Sequence, residues 1–297
     1  MIESEELHPT YITTCVFNAY LSYTAIMLNS VTIHALRKAA SLPKPLKTML
    51  LSLTVSDLAV GLLAQPVYVA VYVTEMGRNT HNSPIYSTTR TVYSVTAMIL
   101  SSASFLGVMA VSADRFLAIH LHLRYQELVT QKRAVAVVIS VWVLSTFVSF
   151  VWMWIPKNIT FAAIFATIAV CWLLITTTLY YKIYATVCRH ASQISQTLQT
   201  HQAAQNGQME NAVRQRKAAV GSFFVYLAFW VCYLPNYCSL VVSIISGTST
   251  TMEGWRLYTV TLVYLNSSLN PLIYCWKMRH IRHAFMNTLR NIFRGRG

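Results

Sequence analysis

Seven long runs of this sequence are almost free of charge, at residues 11–36, 48–74, 91–113, 134–156, 158–181, 218–252 and 257–276. Each is near the roughly 20 residues an α-helix needs to cross the hydrocarbon core of a bilayer, or longer. In lipid the backbone must satisfy its own hydrogen bonds, so each run is expected to be a helix. Tyr, Trp, Thr and Ser are scattered through the runs, which suggests helices packed on one another rather than lone anchors. The expected fold class is therefore an all-α membrane protein, a bundle of seven transmembrane helices. Residues 1–10 would form a short extracellular segment and 11–276 the bundle. In 277–297, Ile281, Phe285, Met286, Leu289 and Phe293 recur at helical spacing among basic residues. That pattern suits a short amphipathic cytoplasmic helix on the inner leaflet, followed by a tail.

Charged residues make up 11% of the chain and hydrophobic ones 55%, whereas soluble domains are about one quarter charged. The net charge of +14 does not point to nucleic acid, because the cations are sorted by side. Arg37, Lys38, Lys44 and Lys47 follow the first run, Arg124, Lys132 and Arg133 the third, and Lys182 and Arg189 the fifth. Arg214, Arg216 and Lys217 precede the sixth, and the tail is basic throughout. The other side holds Arg78, Arg90, Lys157 and Arg256 with Glu3, Glu5, Glu6, Glu75 and Glu253. The excess of Lys and Arg marks the cytoplasmic side, so the N-terminus is expected outside and the C-terminus inside. Glu3, Glu5 and Glu6 stand where a signal peptide would be basic, so no cleavable signal is expected. The six cysteines offer no obvious pair in the outer loops, and no structural disulfide is expected there. The polar stretch 191–211 reads as the fifth helix running into the cytosol and then a flexible loop.

A few residues are costly where they stand. Asp57 lies mid-run, where a carboxylate costs at least about 2.5–3.5 kcal/mol on insertion scales. Ser104 on the third run and Asn266, Ser267 and Asn270 on the seventh are spaced to share faces with it. Together they would form an oxygen-rich cluster able to hold sodium or a chain of waters; the plainer alternative is a structural hydrogen-bond network. Arg115 follows Asp114 at the cytoplasmic edge of the third run and can pair with it. Pro235 and Pro271 each remove a backbone donor and should kink the sixth and seventh helices.

The chain resembles the rhodopsin-like (class A) family of G protein-coupled receptors over essentially its whole length. Asn29, Asp57 in Leu53-Thr54-Val55-Ser56-Asp57-Leu58, Asp114-Arg115-Phe116, Trp142, Pro235 and Asn270-Pro271-Leu272-Ile273-Tyr274 match that family's markers in order and spacing. The resemblance implies a plasma-membrane receptor that passes binding of a small extracellular ligand to a heterotrimeric G protein. It implies that Asp114 and Arg115 lie at the G protein-binding mouth, that Tyr180 and Tyr274 turn inward on activation, and that Asp57 anchors an inhibitory sodium. No other cofactor is expected.

Departures from the family pattern narrow the ligand. Arg90 replaces the usual cysteine at the outer end of the third helix, and Trp172 the usual proline of the fifth. In these respects the chain is similar to the melanocortin, adenosine, cannabinoid and lysophospholipid branch. Tyr233 stands in place of the usual switch tryptophan, and Gln215 where some members carry an acid facing Arg115. Ala97-Met98 offers no amine counter-ion, and Tyr264 replaces the retinal lysine of visual pigments. The outer parts of the second and third helices are expected to supply the pocket with no acid. The pocket candidates are Met98, Ser101, Tyr233, Asn236, Tyr237, Arg256 and Tyr264, an apolar set with hydroxyls and one cation at the mouth. A lipid or a small neutral or anionic ligand fits better than a biogenic amine or retinal. Asn158-Ile159-Thr160 is a weak glycosylation sequon beside the bilayer. An enzyme lacks support, since no metal motif or facing pair of aspartates occurs. A transporter or channel is the other alternative, disfavoured by the absence of internal symmetry.

Overall fold

The computed structural model describes residues 2–39, 42–77, 83–120, 125–154, 206–247 and 249–277, with scattered residues between 160 and 185 and between 282 and 290. Long helices run Ile2–Lys38, Pro84–His120, Gln131–Trp154, Asn206–Ser246 and Thr250–Lys277. A further one is built in two pieces, Lys44–Ala59 and Gln65–Glu75, joined by a wide π-helical turn at Val60–Ala64. Every described residue between 160 and 185 is helical, in the region expected for the fifth span. A short helix, Tyr125–Leu128, follows the third span on its inner side. Among the described residues, Lys44–Glu75, Pro84–Ala118, Gln131–Val151 and Tyr226–Ser246 are long and apolar enough to cross a bilayer. The first and seventh helices are comparably long but more polar. Their buried faces carry Thr14, Asn18, Ser22 and Asn29 on one and Asn266, Ser267, Ser268 and Asn270 on the other.

The wide turn in the second span has a local cause. Pro66 has no N–H to donate, and its ring crowds the carbonyl one turn earlier. Widening the helix relieves both, and the Gln65 N–H reaches back to the Val60 carbonyl, five residues away. The loosened Gly61 carbonyl accepts the Ser22 hydroxyl of the first helix at 2.7 Å. The approach is close: a Cβ on Gly61 would lie 3.1 Å from both Ala25 Cβ and Ile26 Cγ1, so a larger residue needs those neighbours to shift.

Two buried clusters fill the bundle. The inner one gathers Leu46, Leu50, Leu53, Val108, Val111, Phe229, Tyr233 and Tyr274. The outer one is rich in tyrosine, with Tyr11, Tyr68, Tyr72, Tyr86 and Tyr264 packed around Val71, Leu100 and Leu257. Outward-facing side chains such as Val143, Phe147, Val231 and Ile245 are apolar and exposed. On a membrane bundle that surface meets lipid.

Two sequence expectations need correction. Residues 206–211 belong to the helix Asn206–Ser246 and not to a loop. The sixth span ends at Ser246 and not at 252, because Gly247 adopts φ 79°, a left-handed conformation that terminates helices. Glu253 and Arg256 consequently sit in the first turns of the seventh helix. Residues 2–10 are helical and continuous with the first span. Pro235 and Pro271 both lie inside unbroken helix. Asn158, Tyr180 and Trp172, with most of 277–297, lie outside the described residues, as does the side chain of Gln215.

Candidate functional site

A cavity of about 720 Å³ opens among the outer halves of the helices. All seven residues expected at the pocket line it: Met98, Ser101, Tyr233, Asn236, Tyr237, Arg256 and Tyr264. Its size falls within the range of small-molecule sites, about 300–1,000 Å³. Ala97, Met98 and Ser101 come from the third helix, and Asn236 and Tyr237 from the turn of the sixth that follows Pro235. Tyr233 closes the floor, stacked on Phe229 with ring centroids 4.0 Å apart, and Phe229 in turn meets Phe105 at 5.1 Å. The Tyr233 side chain also faces Ser104 and the Asp57 carboxylate. Tyr264 donates to the Tyr93 hydroxyl at 3.2 Å, tying the seventh helix to the third.

The mouth differs from expectation. Glu75 from the second helix lines the cavity, with Arg90, Glu253 and Arg256, so the outer helices do supply acid. Val71, Tyr72 and Glu75 line the cavity from the second helix, with Tyr68 packed one turn behind Tyr72, and the widened turn sets the angle of this stretch. Arg256 donates from Nε to Glu253 Oε2 at 2.8 Å and from Nη2 to the Tyr72 hydroxyl at 2.9 Å. Arg90 donates to the Tyr86 hydroxyl at 2.9 Å with its guanidinium 5.9 Å from that ring's centre, and Tyr86 donates to Glu75. Burial pushes the Glu253 carboxyl up, but the bonds and charge of Arg256, with the charge of Arg90, outweigh it and hold it below its ordinary value.

Beneath the floor lies the buried polar cluster. Asp57 accepts from Ser104 Oγ at 3.1 Å and from Asn270 Nδ2 at 2.8 Å, with Ser267 also facing it. Asp57, Asn266 and Asn270 are wholly buried. Among the described residues, neither side-chain atom of Asn266 finds a hydrogen-bond partner, and Asn270 Oδ1 also has none. Asn29 donates to the Ala25 and Ser267 carbonyls, each at 2.9 Å, and pins the first helix to the seventh. Trp142 Nε1 donates to Ser52 Oγ at 3.0 Å, joining the fourth helix to the second. A carboxylate with several neutral oxygens suits a hard monovalent cation; the orphaned Asn266 Oδ1 and Asn270 Oδ1 fit such an ion or water, and Asn266 Nδ2 fits water.

At the inner end Arg115 donates to the Asp114 carboxylate, from Nε at 3.0 Å. The Tyr125 hydroxyl donates to the other carboxylate oxygen at 2.7 Å. Burial, then the Asp114 charge, pushes the Tyr125 phenol well up and keeps it a donor. Tyr125 carried no signal in the sequence, since a lone tyrosine ten residues past Arg115 has no periodicity to mark it. Tyr274 is buried in the inner cluster.

Comparison with known proteins agrees with this architecture. The chain is 24% identical to melanocortin receptor 4 of Danio rerio over 89% of its length and 80% of that protein's. It is 26% identical to adenosine receptor A2b of Bos taurus, covering 89% of the chain and 86% of the relative. It is 27% identical to the histamine H2 receptor of Cavia porcellus, covering 80% and 68%. Residues 28–274 match the family described as 7 transmembrane receptor (rhodopsin family), and this chain belongs to it.

Proposed function

We propose that the outer cavity binds a lipid or a small neutral or anionic molecule, and that occupancy is passed through Tyr233 to the Asp57 cluster and on to a G protein at Arg115. The observation that carries this reading is the placement of Tyr233. One side of it lines the cavity, while the other faces Ser104, which bonds Asp57. A ligand pressing on that ring would disturb the polar cluster directly. Asn270 belongs to the cluster and adjoins Pro271 on the helix that carries Tyr274, so the disturbance has a rigid path to the inner end. Amines are disfavoured because the cavity's acids are already engaged, Glu253 by Arg256 and Glu75 by Tyr86.

On the same reading Asp57, Ser104, Asn266, Ser267 and Asn270 hold a sodium ion, which would neutralise the buried carboxylate. Sodium can act as an inhibitor only if it binds the inactive arrangement better than the active one. Residues 1–10 face the extracellular side of the plasma membrane, and 277–297 the cytoplasm. The test is a screen of lipids, neutral metabolite-sized molecules, organic anions and amines on cells expressing the chain, read through several G protein subtypes. Activation by a lipid or a neutral or anionic compound is expected. Amines as the sole active class would overturn the ligand assignment. An N-terminal epitope should label on intact cells, and labelling only after permeabilisation would reverse the topology.

A further inference from the structure

We propose that the cavity mouth is an anion site: Arg256 and Arg90 take the carboxylate or phosphate head of an amphiphilic ligand, and Glu253 holds that place until the ligand arrives. This rests on the reading of the cavity as the ligand site.

The two cations are anchored independently of Glu253. Arg256 is held by the Tyr72 hydroxyl at 2.9 Å, and Arg90 by the Tyr86 hydroxyl at 2.9 Å and the face of that ring. Glu253 is not anchored in this way. Among the described residues both its side-chain oxygens bond only to Arg256, three residues along the same helix. Its side chain is 34% exposed, so it can rotate into water without a buried charge being left behind. Arg90 lines the same mouth, and its charge acts on the Glu253 carboxyl. An incoming carboxylate or phosphate would meet a guanidinium fork of matching geometry. A cationic ligand would instead have to strip Arg256 from Glu253 and leave that guanidinium without its carboxylate. Below the mouth the walls are apolar, with Met98, Phe105, Leu106, Val148, Val260 and Val263. A charged head on an apolar body matches both levels.

The test uses full-length receptor in nanodiscs with three probes of one chain length: decanoate, decanol and decylamine. Decanoate is expected to bind about tenfold or more tighter than decanol, and decylamine weakest. Arg256→Gln should bring decanoate down to the decanol level, while Arg256→Lys retains an intermediate preference and confirms that the variants fold. Glu253→Gln should raise decanoate affinity severalfold, because the competing carboxylate is gone. Equal binding of acid and alcohol, or weaker decanoate binding in Glu253→Gln, overturns the anion site. Met98→Trp, which fills the cavity, separates the two levels of the argument. If it abolishes binding while acid and alcohol remain equal in the parent, the cavity reading stands and the anion site fails. If all three probes bind Met98→Trp as they bind the parent, both fail.

Discussion

The mouth of the cavity and the Asp57 cluster beneath it are both polar assemblies in an apolar bundle, but they are finished to different degrees. At the mouth each cation has a named partner, and the groups sit where water can reach them. Around Asp57 everything is sealed from solvent, yet Asn266 and Asn270 keep amide atoms with no partner among the described residues. A buried polar group without a hydrogen bond costs about 1–3 kcal/mol. Those amide oxygens leave room for the proposed ion, whereas the paired and wetted groups at the mouth can exchange partners. On the proposed reading, switching falls to the inner assembly and recognition to the outer one.

Four variants sharpen or break that contrast. The largest effect is expected at Arg115, below both assemblies. Arg115→Ala should reduce ligand-stimulated nucleotide exchange by about 10–100-fold, with surface expression and ligand affinity kept. Wild-type signalling in that variant would remove the coupling role. Next, agonist affinity should fall about fivefold or more when sodium replaces a large organic cation, and Asp57→Asn should erase the difference. Equal sodium sensitivity in parent and variant would leave the inner assembly a static network. A smaller change is expected from Gly61→Ala, where the new methyl group must displace Ala25 or Ile26. About 1–3 kcal/mol of stability should be lost, read as a lower thermal midpoint in detergent. An unchanged midpoint would mean that the first and second helices can separate freely at the wide turn. The smallest concerns Gln215, where the family resemblance implies that an acid would pair with Arg115. Such a pair contributes about 0–1 kcal/mol, so Gln215→Glu should lower ligand-free exchange at most about fivefold at matched expression. No change, with the parent already at vector level, would place restraint of the inactive state elsewhere, with Tyr125 on Asp114 the next candidate.

The bundle was readable from charge-free runs alone, because lipid forces long apolar segments into helices. Runs do not mark where a helix stops, however. The sixth helix ends at Gly247, inside the run, for reasons of backbone conformation rather than polarity. The Asp57 cluster was readable because a mid-membrane carboxylate must recruit oxygen, and the neighbouring helices offered only a few at the right spacing. The pocket residues were named through the family resemblance, and the structure brings all seven to one cavity. Of the ionic mouth only one cation, Arg256, was foreseen. Glu75, Arg90 and Glu253 lie outside the runs, where sequence periodicity says little about which charges converge. Nor was Tyr125, whose role depends on how the chain turns after the third helix. Membership of a receptor family sets an enzymatic reading aside, while the identity of the ligand rests on side chains at the mouth.

The wide turn at Val60–Ala64 acts as a change of phase in the second helix. An α-helix advances about 100° per residue, and a turn closed by a five-residue hydrogen bond uses roughly one residue more than its neighbours. Beyond Ala64 the helix is therefore out of register with the half that carries Asp57. A regular helical wheel drawn through both halves would put Tyr68, Tyr72 and Glu75 at the wrong bearing. Length, and not only composition, thus sets what the cavity sees: deleting one residue within the turn would swing that whole face while leaving Asp57 in place. Recognition and switching can in this way be retuned separately on a single continuous helix.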